Sequence, residues 1–248
     1  MMIEFSGAGE AIAPPQACLV CPVRQFAAYR AADRNDLDTL MQLRRDMRQI
    51  AERRILLREG EAPLELATLV SGWAFRFKLL PDGRRQILSF LLPGDMIVFH
   101  ALHENTLNFS VQTLTPVQVC AFDANELRSF LMDRPLIRRD LEAHCAAELI
   151  AADELVTDLG QRRAPERMAR FVLGLEARLV QRKLAEPGIL PFPLRQGHLA
   201  DTLGLTTVHV SRMLTQLRGD GVISVGRDQL VISNRDRLMN LAGAVKWP

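Results

Sequence analysis

Residues 195–219 read RQGHLADTLGLTTVHVSRMLTQLRG. Ala200, Gly204 and Val210 stand at the spacing of two short helices that cross at a tight turn. Ala200 is small where the helices cross, Gly204 opens the turn, and Val210 faces the inside of the second helix. Leu199, Leu203, Leu205, Leu214 and Leu217 supply core, and Thr206, Thr207, His209, Ser211 and Arg212 are left to face outward. A second helix of this kind lies in the DNA major groove and offers its N-terminal residues to base edges. An ordinary helical hairpin with a glycine turn has the same local pattern, so the flanks decide. Arg218 is a basic helix end, Gly219-Asp220-Gly221 is a stop, and VISVGRDQLVIS (222–233) alternates about Gly226-Arg227-Asp228 as a two-stranded wing does. A winged helix-turn-helix is therefore expected.

The rest of the chain has a different texture. From about residue 47 to 122 short alternating segments are separated by turns, with glycines at Gly60, Gly72, Gly83 and Gly94. Asp82-Gly83 between apolar runs predicts a hairpin. The pattern predicts a β-roll of about eight strands. Before it, Asn35-Asp36 is read as the cap of a short helix running to about Arg45. After it comes a short helix ended by Pro135, and then a long one from Leu136 to about Gly160. On that helix Leu141, Cys145, Leu149, Ala152, Val156 and Leu159 recur every three or four residues. Such a stripe predicts a homodimer seam, the other reading being that it packs on its own roll. A further helix is expected from Ala164 to about Lys183. The predicted class is α+β: an N-terminal jelly roll, a long dimerisation helix and a C-terminal winged helix-turn-helix. The boundaries are 1–30 (a segment holding a CxxC), 31–133 (the sensor roll), 134–162 (the dimer helix) and 163–248 (the DNA-binding domain).

Composition narrows the class. The chain has 248 residues, 48% hydrophobic and 24% charged, enough for real cores. It has no run of about 18 apolar residues, and its N-terminus lacks the shape of a secretion signal, so a cytoplasmic protein without a membrane span is expected. The net charge of +2 says little about partners. The distribution says more: Arg162, Arg163, Arg167, Arg170, Arg178, Arg182, Lys183, Arg195, Arg212 and Arg218 crowd the C-terminal third, where phosphate contacts are needed. The four cysteines are Cys18, Cys21, Cys120 and Cys145. In a reducing compartment they are better read as buried thiols, redox thiols or metal ligands than as disulfides.

The order of roll, long helix and winged helix resembles the Crp/Fnr family of bacterial transcription regulators, over roughly residues 18–242. The resemblance rests on the glycine ladder 60/72/83/94, PGDMI at 93–97, ERMARFVLGL at 166–175 and LADTLGLTTVHVSRML at 199–214. It implies a homodimer on a palindromic promoter site in double-stranded DNA, with RNA polymerase as partner and Asp82-Gly83-Arg84-Arg85 as an exposed tip that could touch it. The base-reading positions it implies are Val208, Ser211 and Arg212, with His209 beside them and Thr207 at the helix start. Arg212 can donate two hydrogen bonds to one guanine. Many relatives carry glutamate where this chain has Val208, so a half-site altered at that base pair is expected.

The resemblance also frames the signal. The cyclic-nucleotide branch holds phosphate through a turn that falls here on Val98-Phe99-His100 and an Arg-Ser pair that falls on Ser110 and Val111. No arginine lies between Arg85 and Arg128. A buried phosphate would lack a partner, so cyclic AMP is rejected. The chain stands closer to the Fnr-type branch, the FixK- and FnrL-like regulators. That branch holds a [4Fe–4S] cluster on four thiolates. Cys18 and Cys21 match the first pair and Cys120 the last, but Ala27 stands at the third place. A cluster completed by Cys145 or a non-cysteine ligand, thiol chemistry without metal, and haem on His100 or His103 are all left open. The functional expectation is a regulator responding to oxygen or redox state. The alternative is an effector-independent regulator with a degenerate site. A cupin-like metalloprotein with a DNA-binding tail, using His100, His103 and Glu104, is the remote third reading. No nucleophile–base constellation is present, so no enzyme activity is expected.

Overall fold

The computed structural model describes residues 18–27, 29–97 and 106–243. The chain divides into two compact units, 1–149 and 150–248, and the division falls inside one helix.

In the first unit, two 3-10 turns (Cys18–Val20 and Arg24–Phe26) precede helix α1 (Arg34–Leu43). Asp33, not Asn35-Asp36, is the cap of α1. Its carboxylate accepts from the Asp36 amide at 2.8 Å, and the Asp36 carboxylate accepts from the Asp33 amide in return. The chain then passes straight into β1 (Arg44–Ile50), where only Met47 and Ile50 are buried. The roll has seven strands among the described residues: β1, β2 (Ile55–Leu57), β3 (Glu65–Ser71), β4 (Ala74–Leu79), β5 (Arg85–Leu91), β6 (Ser110–Thr113) and β7 (Val117–Asp123). They form two antiparallel sheets, ordered β1-β7-β3 and β2-β6-β4-β5. About eight were expected; beside β3, Met96 makes only a single bridge to Thr68. The Asp82-Gly83 hairpin joins β4 to β5, with Gly83 at φ +86°.

Gly94, in the PGD turn, has φ +99°, and a Cβ there would stand 2.7 Å from the Phe26 Cβ. Only glycine lets the N-terminal segment settle against this turn. The core between the sheets runs from Leu37 and Leu40 of α1 through Leu66, Leu69, Val111 and Val119 to Phe122. It is closed by α2 (Ala124–Met132) and by the start of α3 (Pro135–Gln161), whose Ile137 and Leu141 are buried. Pro135 opens α3, where its missing amide costs nothing.

The second unit holds the end of α3, then α4 (Ala164–Gln181), β8 (Ile189–Pro191), α5 (Gln196–Leu203), α6 (Thr207–Gly219), β9 (Ile223–Val225), β10 (Gln229–Ile232) and α7 (Arg235–Leu241). The wing strands β9 and β10 turn at 226–228 as read from the sequence. β8 adds a third strand in the order β8-β10-β9. Among the described residues no helix is long and apolar enough to cross a membrane.

Candidate functional site

The geometry of the second unit is set at Gly204. It closes α5 in the left-handed region, at φ +63°, with its amide donating to the Ala200 carbonyl. A Cβ there would stand 3.1 Å from Leu159 Cδ2 of α3 and 3.6 Å from Arg167 Nη1. Arg167 donates to the Leu203 carbonyl at 2.9 Å and to the Arg162 carbonyl at 2.9 Å, so it seals the last turn of α5 from outside. Two residues later Thr206 caps α6, its hydroxyl accepting from the His209 amide at 3.2 Å. Leu199, Ala200 and Leu203 of α5 pack with Val210, Met213, Leu214 and Leu217 of α6 as buried residues, while Leu205 in the turn is half-buried.

This packing leaves the start of α6 in solvent. Thr207, Val208, Ser211 and Arg212 line one open groove, joined by Gln196 from the first turn of α5. Val208 is 59% exposed, unusual for a branched apolar side chain at a helix start. The groove can take one polar or methyl-bearing edge at a time: Arg212 donates, Thr207 and Ser211 donate or accept, and Val208 offers only apolar contact. His209 is exposed on the same helix but does not line the groove. Gln196 was missed in the sequence because it precedes the apolar pattern of the motif rather than falling within it.

The basic residues divide differently from the sequence expectation. Arg170 is buried and donates to both Glu154 and Asp158 of α3, and Arg162 binds the same two carboxylates. With Arg167 held on backbone carbonyls, these three fasten the unit from within. Burial forces such pairing, because an unpaired interior charge is far costlier than a paired one.

The dimer stripe also divides. Leu141 is only 4% exposed and belongs to the roll core, and Leu159 packs under Gly204. Leu141 has little surface left for a partner, whereas Leu159 is half-buried. Cys145, Leu149, Ala152 and Val156 between them are exposed, Leu149 at 65% and Val156 at 70%.

In the first unit, Cys18, Cys21 and Cys120 share one electrostatic neighbourhood with Arg44 and Tyr29. Burial pushes the Cys120 thiol up to about 12, partly offset by Arg44 and reinforced by Cys18 and Cys21. Burial also raises Cys18, again against Arg44. Cys145 stands apart on α3, its thiol raised by burial and by Glu148 and Glu142. Among the described residues, no three His, Cys, Asp or Glu side chains are grouped to hold a metal ion. Val98, Phe99, His100, His103 and Glu104 lie outside the described residues.

The description of the Crp-like helix-turn-helix domain matches residues 166–241, and that of the cyclic nucleotide-binding domain matches 47–134. The nitrogen fixation regulation protein FixK of Bradyrhizobium diazoefficiens is 31% identical over 92% of this chain and 94% of its own length. The chain belongs to the Crp/Fnr family. The transcriptional activator FnrL of Cereibacter sphaeroides is 30% identical over 91% of this chain and 92% of its own. The solved structure of FixK2 from Bradyrhizobium japonicum superposes with a TM-score of 0.73 at 31% identity, over 81% of this chain and 98% of that one. The protein is thus a DNA-binding transcription regulator of the Crp/Fnr type, on the Fnr side of the family.

Two features of its Crp/Fnr roll bear on cofactors. At the cyclic-nucleotide Arg-Ser positions, Val111 is fully buried in the core and the Ser110 hydroxyl accepts from the Glu59 amide at 3.0 Å, so β6 offers no guanidinium to a phosphate. At the third thiolate position of the Fnr type, Ala27 is buried in the same core cluster as Cys18 and Cys120. Its methyl cannot ligate iron. The three thiols present do not fit a four-thiolate [4Fe–4S] cluster.

Proposed function

We propose that the chain is a cytoplasmic homodimer that reads a palindromic site in double-stranded DNA, its two α6 helices entering successive major grooves about 34 Å apart. The observation that carries this reading is the groove of Gln196, Thr207, Val208, Ser211 and Arg212 at the exposed start of α6. Ser211 and Arg212 discriminate bases, Val208 touches a thymine methyl, and His209 and Thr207 hold the flank. The second copy packs on Cys145, Leu149, Ala152 and Val156, which burial of exposed apolar side chains would favour. RNA polymerase meets the Asp82–Arg85 hairpin. The chain works by binding rather than catalysis, and cyclic AMP is not its signal.

Arg212→Ala should abolish preference at one guanine, a loss of about 1–3 kcal/mol in a binding-site selection. Unchanged specificity would remove Arg212 from the reading surface. Ala152→Asp should shift the mass seen by light scattering toward the monomer, by setting like charges across the seam. An unchanged mass would place the seam elsewhere.

The absence of a fit at Ala27 favours a regulator without a bound cofactor. Control by oxygen or redox state stands as a second reading, supported by the shared neighbourhood of Cys18, Cys21 and Cys120. Iron and acid-labile sulfide after anaerobic purification separate the two. About four of each per chain would restore the cluster. Neither would leave thiol oxidation or no signal at all.

A further inference from the structure

The four-stranded sheet carries a cation on its core side. Arg76 of β4 lies opposite Ser89 of β5 and Val111 of β6, so the three share a face. Two residues back, Ala74 lies opposite Leu91 on that same face, and Ala74, Leu91 and Val111 belong to the roll core. The other face of β4 is aromatic, with Phe75 and Phe77 beneath the Arg85 guanidinium.

An arginine held in such a place needs a counter-charge. Its Nε donates to Ser89 Oγ at 2.7 Å, and its guanidinium lies 5.3 Å from the centre of the Phe109 ring. Nη2 donates to the carboxylate of Glu148, which comes from α3 and not from the sheet. Burial would push the Glu148 carboxyl up. Arg76 more than cancels this, with help from His144 and against Asp95, and the carboxyl is held below its usual range.

We propose that Arg76 and Glu148 form a built-in tie that fixes α3 against the roll, so that the helix is set by the chain's own side chains and needs no anionic effector to bridge it. Arg76 is a positioning residue and touches no DNA. Glu148 directly precedes Leu149, the first strongly exposed apolar residue of the proposed seam. The benefit of the tie, a seam set without ligand, rests on the dimer reading above; the tie itself does not.

The test uses the full chain and reads amide hydrogen exchange over residues 142–150, which requires neither dimer nor DNA. Glu148→Gln keeps the shape and removes the charge. This segment should then exchange severalfold faster while circular dichroism stays unchanged. Glu148→Asp, which keeps the charge, should recover part of the protection. A folded Glu148→Gln protein with wild-type exchange overturns the tie. So does a Glu148→Asp protein no better protected than Glu148→Gln, because the charge would then be irrelevant. Sedimentation of the wild type is read separately. A monomer there defeats the dimer reading, while the exchange result still decides the tie.

Discussion

Two buried arginines close on the same helix from different units, and they hold it differently. In the roll, Arg76 donates to the carboxylate of Glu148, whose side chain is 30% exposed. In the C-terminal unit, Arg170 and Arg162 share two, Glu154 and Asp158. Where two arginines share two carboxylates, one contact can loosen while the others hold the arrangement. The difference teaches that α3 is held in the C-terminal unit by shared charges, and in the roll by burial of Ile137 and Leu141 together with the Glu148 pair.

The comparison can be broken at either end. Arg170→Met should cost the C-terminal unit about 3 kcal/mol in urea unfolding, because Glu154 and Asp158 lose their buried partner. A loss no larger than that of Glu148→Gln in the roll would make the two grips equal. Gly204→Ala should cost about 1–2 kcal/mol, from the left-handed backbone and the close approach of Leu159. The roll's own unfolding should not move. The smallest effect concerns acid. The Glu148 carboxyl is held below its ordinary value of 4.5 in the folded chain, so the tie contributes above that value and is lost as pH falls through the depressed one. Glu148→Gln should flatten this part of the stability profile, by under about 1 kcal/mol. A profile unchanged by the substitution would mean that the pair adds nothing to the roll.

Much of this molecule was legible from sequence because its signals are local. Gly204, Thr206 and the apolar spacing of α5 and α6 fix the motif within two dozen residues, and the wing announces itself by alternation around Gly226. The failures share a cause. Charge in a sequence carries no partner, so Arg162, Arg167 and Arg170 read as phosphate contacts until Glu154, Asp158 and two backbone carbonyls were seen beside them. Periodicity likewise shows that a face is apolar but not what covers it. Leu141 matched the seam and lies in the roll core. The cap of α1 went to Asp33 because three capping residues stand within four positions, and only the reciprocal bond with Asp36 distinguishes them. β1 was read too late because its charged residues pair across the sheet: Arg48 holds the buried Glu65 with two bonds of 2.8 Å. Helix α7 lacked any signal that was read.

Helix α3 runs unbroken for 27 residues, about 40 Å at 1.5 Å each. One residue inserted between Glu148 and Glu154 would advance everything beyond it by 1.5 Å and turn it by about 100°. The angle between Glu148 and Glu154 about the helix axis would then change, and the residues between them would be re-spaced. In the sheet loops an extra residue is absorbed locally. Along this stretch of α3 a substitution leaves the spacing of Glu148 and Glu154 on the helix unchanged, and only an insertion or deletion resets it.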